Sequence, residues 1–326
     1  MFIGILCALT AGLMWGLVFI TPLLLADYPA VVLSLGRYVA FGLIALVPAC
    51  FDRRRIAALS RDDWKVAFKL SLVGNLLYYA LLASAIQLAD APLPTMLIGT
   101  LPIVISVCAN WRPGHASESV AWRLLAPSLV ILSLGLLLVN SSELEHLKHG
   151  LGSNGQLRST TDYALGCVVA ICAIVCWTWY PIVNSRYLRA HPRINSVTWA
   201  TAQGLATLPM ALAGFVLYGI YSYAGGGAYN FPLGPRPLAF VLMMLLIGLS
   251  ASWLGTLLWN KASQLLPTAL VAQLIVFETL AALAYAFLLR NTVPDIKVLA
   301  GAAFLCVGVV LGVRTFSRPA PTAPAP

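Results

Sequence analysis

Charge is scarce in this 326-residue chain: 10% of residues are Asp, Glu, Lys or Arg, while 60% are hydrophobic. A soluble globular chain carries about 25% charged and roughly 45–50% apolar residues. Such an excess of apolar surface cannot be hidden in one water-soluble core, which excludes a soluble enzyme and a soluble nucleic-acid module. Cysteine-pair motifs are missing as well. The seven cysteines all fall in apolar stretches and none forms Cys-x-x-Cys, so neither a zinc site nor a redox motif is indicated. The apolar stretches hold no histidine, since His115, His146, His149 and His191 all lie in polar connections. There is no Gly-x-x-x-x-Gly-Lys-Ser/Thr, no Gly-x-Ser-x-Gly and no His-Glu-x-x-His. ATP hydrolysis, a serine nucleophile and a zinc protease therefore have no support. No cofactor and no metal site is expected.

What the chain has is long apolar runs. A bilayer core about 30 Å thick takes roughly 20 apolar residues of helix. Ten segments qualify: 2–24, 30–50, 66–88, 92–110, 122–140, 163–184, 194–219, 238–259, 268–289 and 296–314. The expected fold is an all-α integral membrane protein of ten transmembrane helices. The first segment lacks the basic flank of a cleaved signal peptide and reads as a retained helix. The connection 141–162 is rich in Ser, Gly, Glu and His, and 220–237 holds Gly225–Gly227 and three prolines; both read as loops. The tail 316–326, nearly all Pro and Ala beyond Arg318, reads as disordered.

The net charge of +9 is a topology signal. With the N-terminus inside, 14 Lys and Arg fall in inner connections and 5 in outer ones. Cytoplasmic loops carry that excess. Both termini are therefore expected in the cytoplasm, with the lipid bilayer and not a nucleic acid as the partner.

The halves repeat. Ala11 to Trp15 and Ala173 to Trp177 are both Ala-x-x-x-Trp, each followed by a proline, Pro22 and Pro181. Trp122-Arg123 with Gly135 matches Ile296-Lys297 with Gly308, 173–174 residues later. The expectation is a first five-helix repeat over 1–140, a linker over 141–162 and a second repeat over 163–315. Five spans per half would insert the second repeat upside down, a design that gives transporters two conformations of similar energy.

These features resemble the drug/metabolite transporter superfamily, and its EamA-type ten-helix members in particular. The likeness rests on Trp15-Gly16, Arg37, Trp177 and the glycine-spaced last span, Gly301 to Gly312. The stretch Trp177-Thr-Trp-Tyr180 with Asn184, Tyr187 and Arg189, and the pair Trp259-Asn260, are similar to bacterial aromatic amino-acid exporters. The chain departs from the family where a Gly-Glu pair commonly precedes the last span, since Arg290-Asn291 stands there. The resemblance implies a central cavity walled by spans 3, 4, 8 and 9 with help from 1 and 6. It also implies export of small metabolites, commonly amino acids, from the bacterial inner membrane, as a monomer or homodimer.

Several residues could carry that function. Glu278 sits at the middle of span 9, where a charge costs roughly 2.5–3.5 kcal/mol on insertion scales. It is either a substrate-facing acceptor and proton carrier, or a protonated acid bonded to a neighbouring helix. Trp177, Tyr180 and Asn184 follow i, i+3, i+7 and share a helical face, which either lines a cavity or packs between helices. Trp15, Tyr78, Tyr79, Trp259, Asn260 and Gln273 complete the candidate substrate-binding set. Arg37 could attract a carboxylate or serve structure; its presence across the family implies the latter. Gly12-x-x-x-Gly16 and Gly308-x-x-x-Gly312 offer close helix contact. A drug or cation exporter, with Glu278 as counter-charge, is the alternative within transport. A scaffold or sensor is the alternative outside it, and an intramembrane enzyme has little support.

Overall fold

The computed structural model describes residues 1–25, 27–89, 97–111, 120–141, 160–226, 230–291 and 293–317. Among them the regular structure is helical. The long helices are α1 (Phe2–Leu24), α2 (Ala30–Phe51), α3 (61–89), α4 (Leu101–Trp111), α5 (Trp122–Val139), α6 (Thr160–Ala190), α7 (Ser196–Tyr221), α8 (237–265), α9 (268–290) and α10 (Ile296–Ser317), and a five-residue helix, Arg53–Ala57, lies between α2 and α3. Among the described residues, nine are long and apolar enough to cross a membrane, and α4 is a shorter apolar helix. Helix is what an apolar chain must form in lipid, where every backbone donor and acceptor needs an internal partner.

The structure adjusts several sequence boundaries. Span 3 begins five residues earlier than its apolar run, because Ser60 and Asp63 form a capping box ahead of it. Span 6 is longer than 163–184, running from Thr160 to Ala190 with Pro181 inside. The last helix continues to Ser317, two residues into the segment read as tail. Most of the linker 141–162, the first part of span 4 and the tail beyond Ser317 lie outside the described residues.

Chain ends and loops sort onto two faces. On one, Thr315 Oγ1 donates to Leu124 O (3.2 Å), joining the end of α10 to the start of α5. There also, Gln264 Nε2 donates to Ile194 O (2.9 Å), and Arg189 donates to Leu266 O (2.9 Å) and Thr268 Oγ1 (2.7 Å). Asp63 is buried at this face and takes two bonds from Arg193 (2.9 and 2.7 Å) and one from Tyr187. On the opposite face the loop before α2 meets the start of α8, where Arg236 Nε donates to Asp27 Oδ2 (2.9 Å). The two joints correspond with their charges exchanged. Each ties the loop after α1 or α6 to the start of α8 or α3.

Helix pairing obeys the same exchange. α5 packs on α10, α2 on α7 and α4 on α9; α1 packs on α8 and α9, while α6 packs on α3 and α4. Exchanging α1–α5 for α6–α10 leaves this pattern unchanged. The helix irregularities repeat too. Wide π turns interrupt α3 at Leu72–Leu77 and α8 at Gly248–Leu254, with starts 176 residues apart. Tight turns interrupt the α4 region at Thr100 and α9 at Ile275, 175 residues apart. At the first, Thr100 N–H bonds Leu97 O and Ile103 N–H bonds Thr100 O; at the second, Ile275 bonds Ala272 and Glu278 bonds Ile275 in the same way.

Close packing relies on glycine where helix backbones meet. A Cβ on Gly301 would stand 2.8 Å from Gly135 O, and one on Gly135 would stand 2.8 Å from Leu305 Cδ2, so α5 and α10 touch nearly backbone to backbone. Gly12 and Gly16 bring α1 onto α9. Gly308 meets Leu132 of α5 and Gly312 meets Gln273 of α9, so both small-residue motifs of the sequence are occupied by contacts inside the chain.

Candidate functional site

The wide turns bring the site together. In α8, Gly255 N–H bonds Ser250 O and Ser252 O, passing over Ala251 O. A carbonyl passed over in this way needs another donor. Trp15 of α1 supplies it, its Nε1 donating to Ala251 O at 2.8 Å within the protein. In α3, Tyr78 N–H bonds Val73 O and Asn75 O and passes over Gly74. Here Tyr180 of α6 covers the turn so closely that a Cβ on Gly74 would stand 2.3 Å from its ring. Each wide turn therefore seats an aromatic side chain from the first helix of the other half.

Four helices converge their rings at this level. Trp15 packs on Trp259 of α8 (centroids 5.1 Å) and edge-on to Trp177 of α6 (5.9 Å). Trp177 meets Tyr180 (5.3 Å) and Tyr78 of α3 (5.7 Å), both near perpendicular. Such edge-to-face pairs contribute about 0.5–1.5 kcal/mol each beyond area burial. Trp15, Tyr180 and Trp259 are buried, whereas Trp177 and Tyr78 stay half-buried.

Glu278 of α9 joins the edge of this group, one turn beyond the break at Ile275. Its backbone lies against Gly12 of α1. Its side chain is half-buried. Arg37 and Tyr78 both lie within its electrostatic range. The position equivalent to Glu278 in the first half is Ile103, one residue on from Pro102, so the charge stands on one side of the pseudo-symmetry only.

Arg37 of α2 holds the wide turn of α8, its Nε donating to Ser252 Oγ at 2.9 Å. In the other half, the wide turn of α3 is tied to α7 by Asn75 Nδ2, which donates to Thr207 Oγ1 (3.3 Å).

Beneath the rings lies a buried polar network. Asn184 Oδ1 accepts from Trp199 Nε1 (2.8 Å) and Gln203 Nε2 (3.0 Å), and Asn184 Nδ2 donates to Asn260 Oδ1 (2.9 Å). Tyr180 OH donates to Gln203 Oε1 (3.2 Å). Trp259 Nε1 and Asn260 Nδ2 are buried with no hydrogen-bond partner among the described residues.

The structure thus brings together Trp15, Tyr78, Trp177, Tyr180, Trp259 and Glu278, with Asn260 just below. Two candidates stand apart. Tyr79 turns to α2, where its OH donates to Ala30 O (3.2 Å) and its ring packs beside Tyr38 and Phe41. Gln273 points at α10, its amide against Gly312. Gln203, Trp199 and Ser252 were missed by sequence reasoning. All three are buried, and mid-span polar residues on α7 and α8 were the available signal. The Arg290-Asn291 departure has a local reason. Asn291 takes the left-handed conformation (φ 50°) that ends α9, which asparagine tolerates better than other side chains.

Comparison with known proteins bears on the family and the fold. The EamA-like transporter family matches residues 2–141. The inner membrane protein YtfF of Escherichia coli (strain K12) is 48% identical over 311 residues, 95% of each chain. A crystal structure of a protein superposes with a TM-score of 0.68 at 16% identity, covering 95% of this chain and 96% of the other, which shows a shared fold.

Proposed function

The chain belongs to the EamA-like transporter family, and on that premise we propose that it exports small amphipathic metabolites, amino acids with aromatic or other hydrophobic side chains first among them. The observation that carries this reading is the ring group of Trp15, Tyr78, Trp177 and Trp259 beside one carboxylate, Glu278, and one guanidinium, Arg37. A zwitterion has two unlike ends and an apolar body. Glu278 suits the ammonium, and Arg37 with the free donors of Trp259 and Asn260 suits the carboxylate. The rings suit the side chain, through stacking and area burial. The absence of a second carboxylate at Ile103 fits a ligand with distinct ends.

The rings touch one another, so a ligand must part them. We read the two halves as inverted repeats, 1–140 and 163–315, that rock about the site and open it to each face in turn. The wide turns of α3 and α8 are where those helices can bend, since π turns relax the i→i−4 ladder. The basic face carries both termini and is assigned to the cytoplasm. Protons are the natural coupling ion, with Glu278 alternating between a protonated state and one paired with the substrate.

A second reading has a specific observation behind it. Aromatic faces beside a carboxylate also suit an organic cation through cation–π attraction. Arg37 disfavours that ligand. One assay separates the two. In liposomes holding the purified full-length protein, uptake of labelled tryptophan, phenylalanine and threonine is followed with and without a proton gradient, beside labelled tetraphenylphosphonium. Saturable uptake of the aromatic amino acids is expected, with loss of gradient dependence in Glu278→Gln. Uptake of the cation alone would replace the first reading by the second, and uptake of none would remove the amino-acid assignment.

A further inference from the structure

One feature of α3 is not used by the transport site. Its first three turns are two-faced. Asp63, Ala67 and Leu70 are buried against the protein, while Arg61, Lys65 and Lys69 recur every four residues on the exposed side. Trp64 and Phe68 lie between those cations, and Phe68 is 45% exposed. Together they form one wall of an open groove of about 530 Å³ whose other wall is the apolar surface of α7 at Leu205 and Pro209.

We propose that this groove binds one anionic glycerophospholipid of the cytoplasmic leaflet, its headgroup phosphate held by Arg61, Lys65 and Lys69 and an acyl chain laid along Phe68 and α7. Level, charge and shape all point the same way. The groove starts at the first residue of a membrane-crossing helix, where headgroups meet protein, and runs inward along apolar side chains. Basic recesses between transmembrane helices on the cytoplasmic side select acidic headgroups. Lys65 does pair with Asp62 (2.9 Å), but both side chains are largely exposed and such a pair is weak. The fold itself does not demand the cations. In α8, the counterpart of α3, the positions 176 residues on are Pro237, Val241 and Leu245, all apolar. The opposite face therefore has an equivalent helix start without the charges.

The test is native mass spectrometry of the full-length protein in detergent with added dioleoyl phosphatidylglycerol or phosphatidylcholine. One retained phosphatidylglycerol per chain is expected, preferred over phosphatidylcholine. Each basic residue near a membrane surface is worth about 1 kcal/mol toward an acidic lipid, so Lys65→Gln and Lys69→Gln should each weaken retention about five-fold. Phe68→Ala should weaken it with the charges intact. Removing a single charge nearby, in Arg53→Gln or in Arg54→Gln, should leave it unchanged. Equal losses from both pairs of charge variants would reduce the effect to general surface charge and overturn the proposal. So would equal retention of the two lipids by the unmutated protein, or full displacement of phosphatidylglycerol by millimolar inorganic phosphate, which would mark an anion site without an acyl groove.

Discussion

Two positions in the wide turns show how much rests on single atoms. Gly74 leaves room for the Tyr180 ring; a Cβ there would stand 2.3 Å from it, so either the ring or α3 must shift. Overpacking of this kind costs about 1–3 kcal/mol. Gly74→Ala should therefore lower the thermal midpoint in detergent and weaken substrate binding. Gly99→Ala is the matched control, since its Cβ would meet nothing nearer than 3.8 Å. An unchanged midpoint in Gly74→Ala would show that α3 does not pack on Tyr180 as described. Trp15→Phe keeps the ring but removes the donor to Ala251 O. Leaving a buried carbonyl unsatisfied costs about 1–3 kcal/mol. That variant should destabilise the protein measurably in a thermal scan, and a neutral result would mean that the carbonyl has another partner.

Between elements, the two faces are joined by ion pairs in corresponding places. Asp27 is held below the usual aspartate range by its hydrogen bonds with Arg236. A carboxyl lowered on folding contributes stability that is complete above its unfolded value, about 3.9, and is lost as pH falls through the lower folded value. Asp27→Asn should accordingly lower the thermal midpoint at pH 7, and its difference from the unmutated protein should shrink toward pH 3. A difference that grows on acidification would have the wrong sign for this pair. The pairing of α5 with α10 makes a steric prediction. Gly301→Ala sets a methyl group 2.8 Å from the backbone oxygen of Gly135, which cannot rotate away as a side chain could. A loss of about 1–3 kcal/mol is expected, read as earlier thermal aggregation in detergent; unaltered stability would argue against the close α5–α10 contact.

At the scale of the whole molecule, the amount of apolar chain and its spacing made the helical membrane fold legible from sequence. Lipid leaves few alternatives to helix. The expectation of a repeat rested on Trp15 and Trp177 and on the spacing of the last spans of each half. The wide turns and the breaks at Thr100 and Ile275 were not legible from sequence. The wide turns lie where α1 and α6 pack on α8 and α3, and the breaks lie in α9 and the α4 region, which the same two helices also meet, so no local pattern announces them. For the same reason Glu278, Trp15, Trp177, Tyr180 and Trp259 could be named as deep and polar or aromatic, while Tyr79 and Gln273 could not be set aside. All are mid-span residues of similar chemistry. Which neighbour each faces is decided by helix rotation, and the moments of uniformly apolar helices do not fix that angle. Arg37 was open between two roles, and it took the wide turn of α8 to show what its guanidinium holds.

In the proposed mechanism, substrate sits among the converging rings beside Glu278. Equilibrium binding of labelled phenylalanine to the purified protein tests this placement most directly, comparing Trp177→Ala with Trp111→Phe, an exposed tryptophan far along α4 from the ring group. Removal of one aromatic contact is worth up to about 1.5 kcal/mol beyond the lost area burial, so a loss of roughly ten-fold is expected. One phenylalanine per chain is expected to bind saturably, about ten-fold more weakly in Trp177→Ala and with unchanged strength in Trp111→Phe. Binding of equal strength in both variants would contradict this placement.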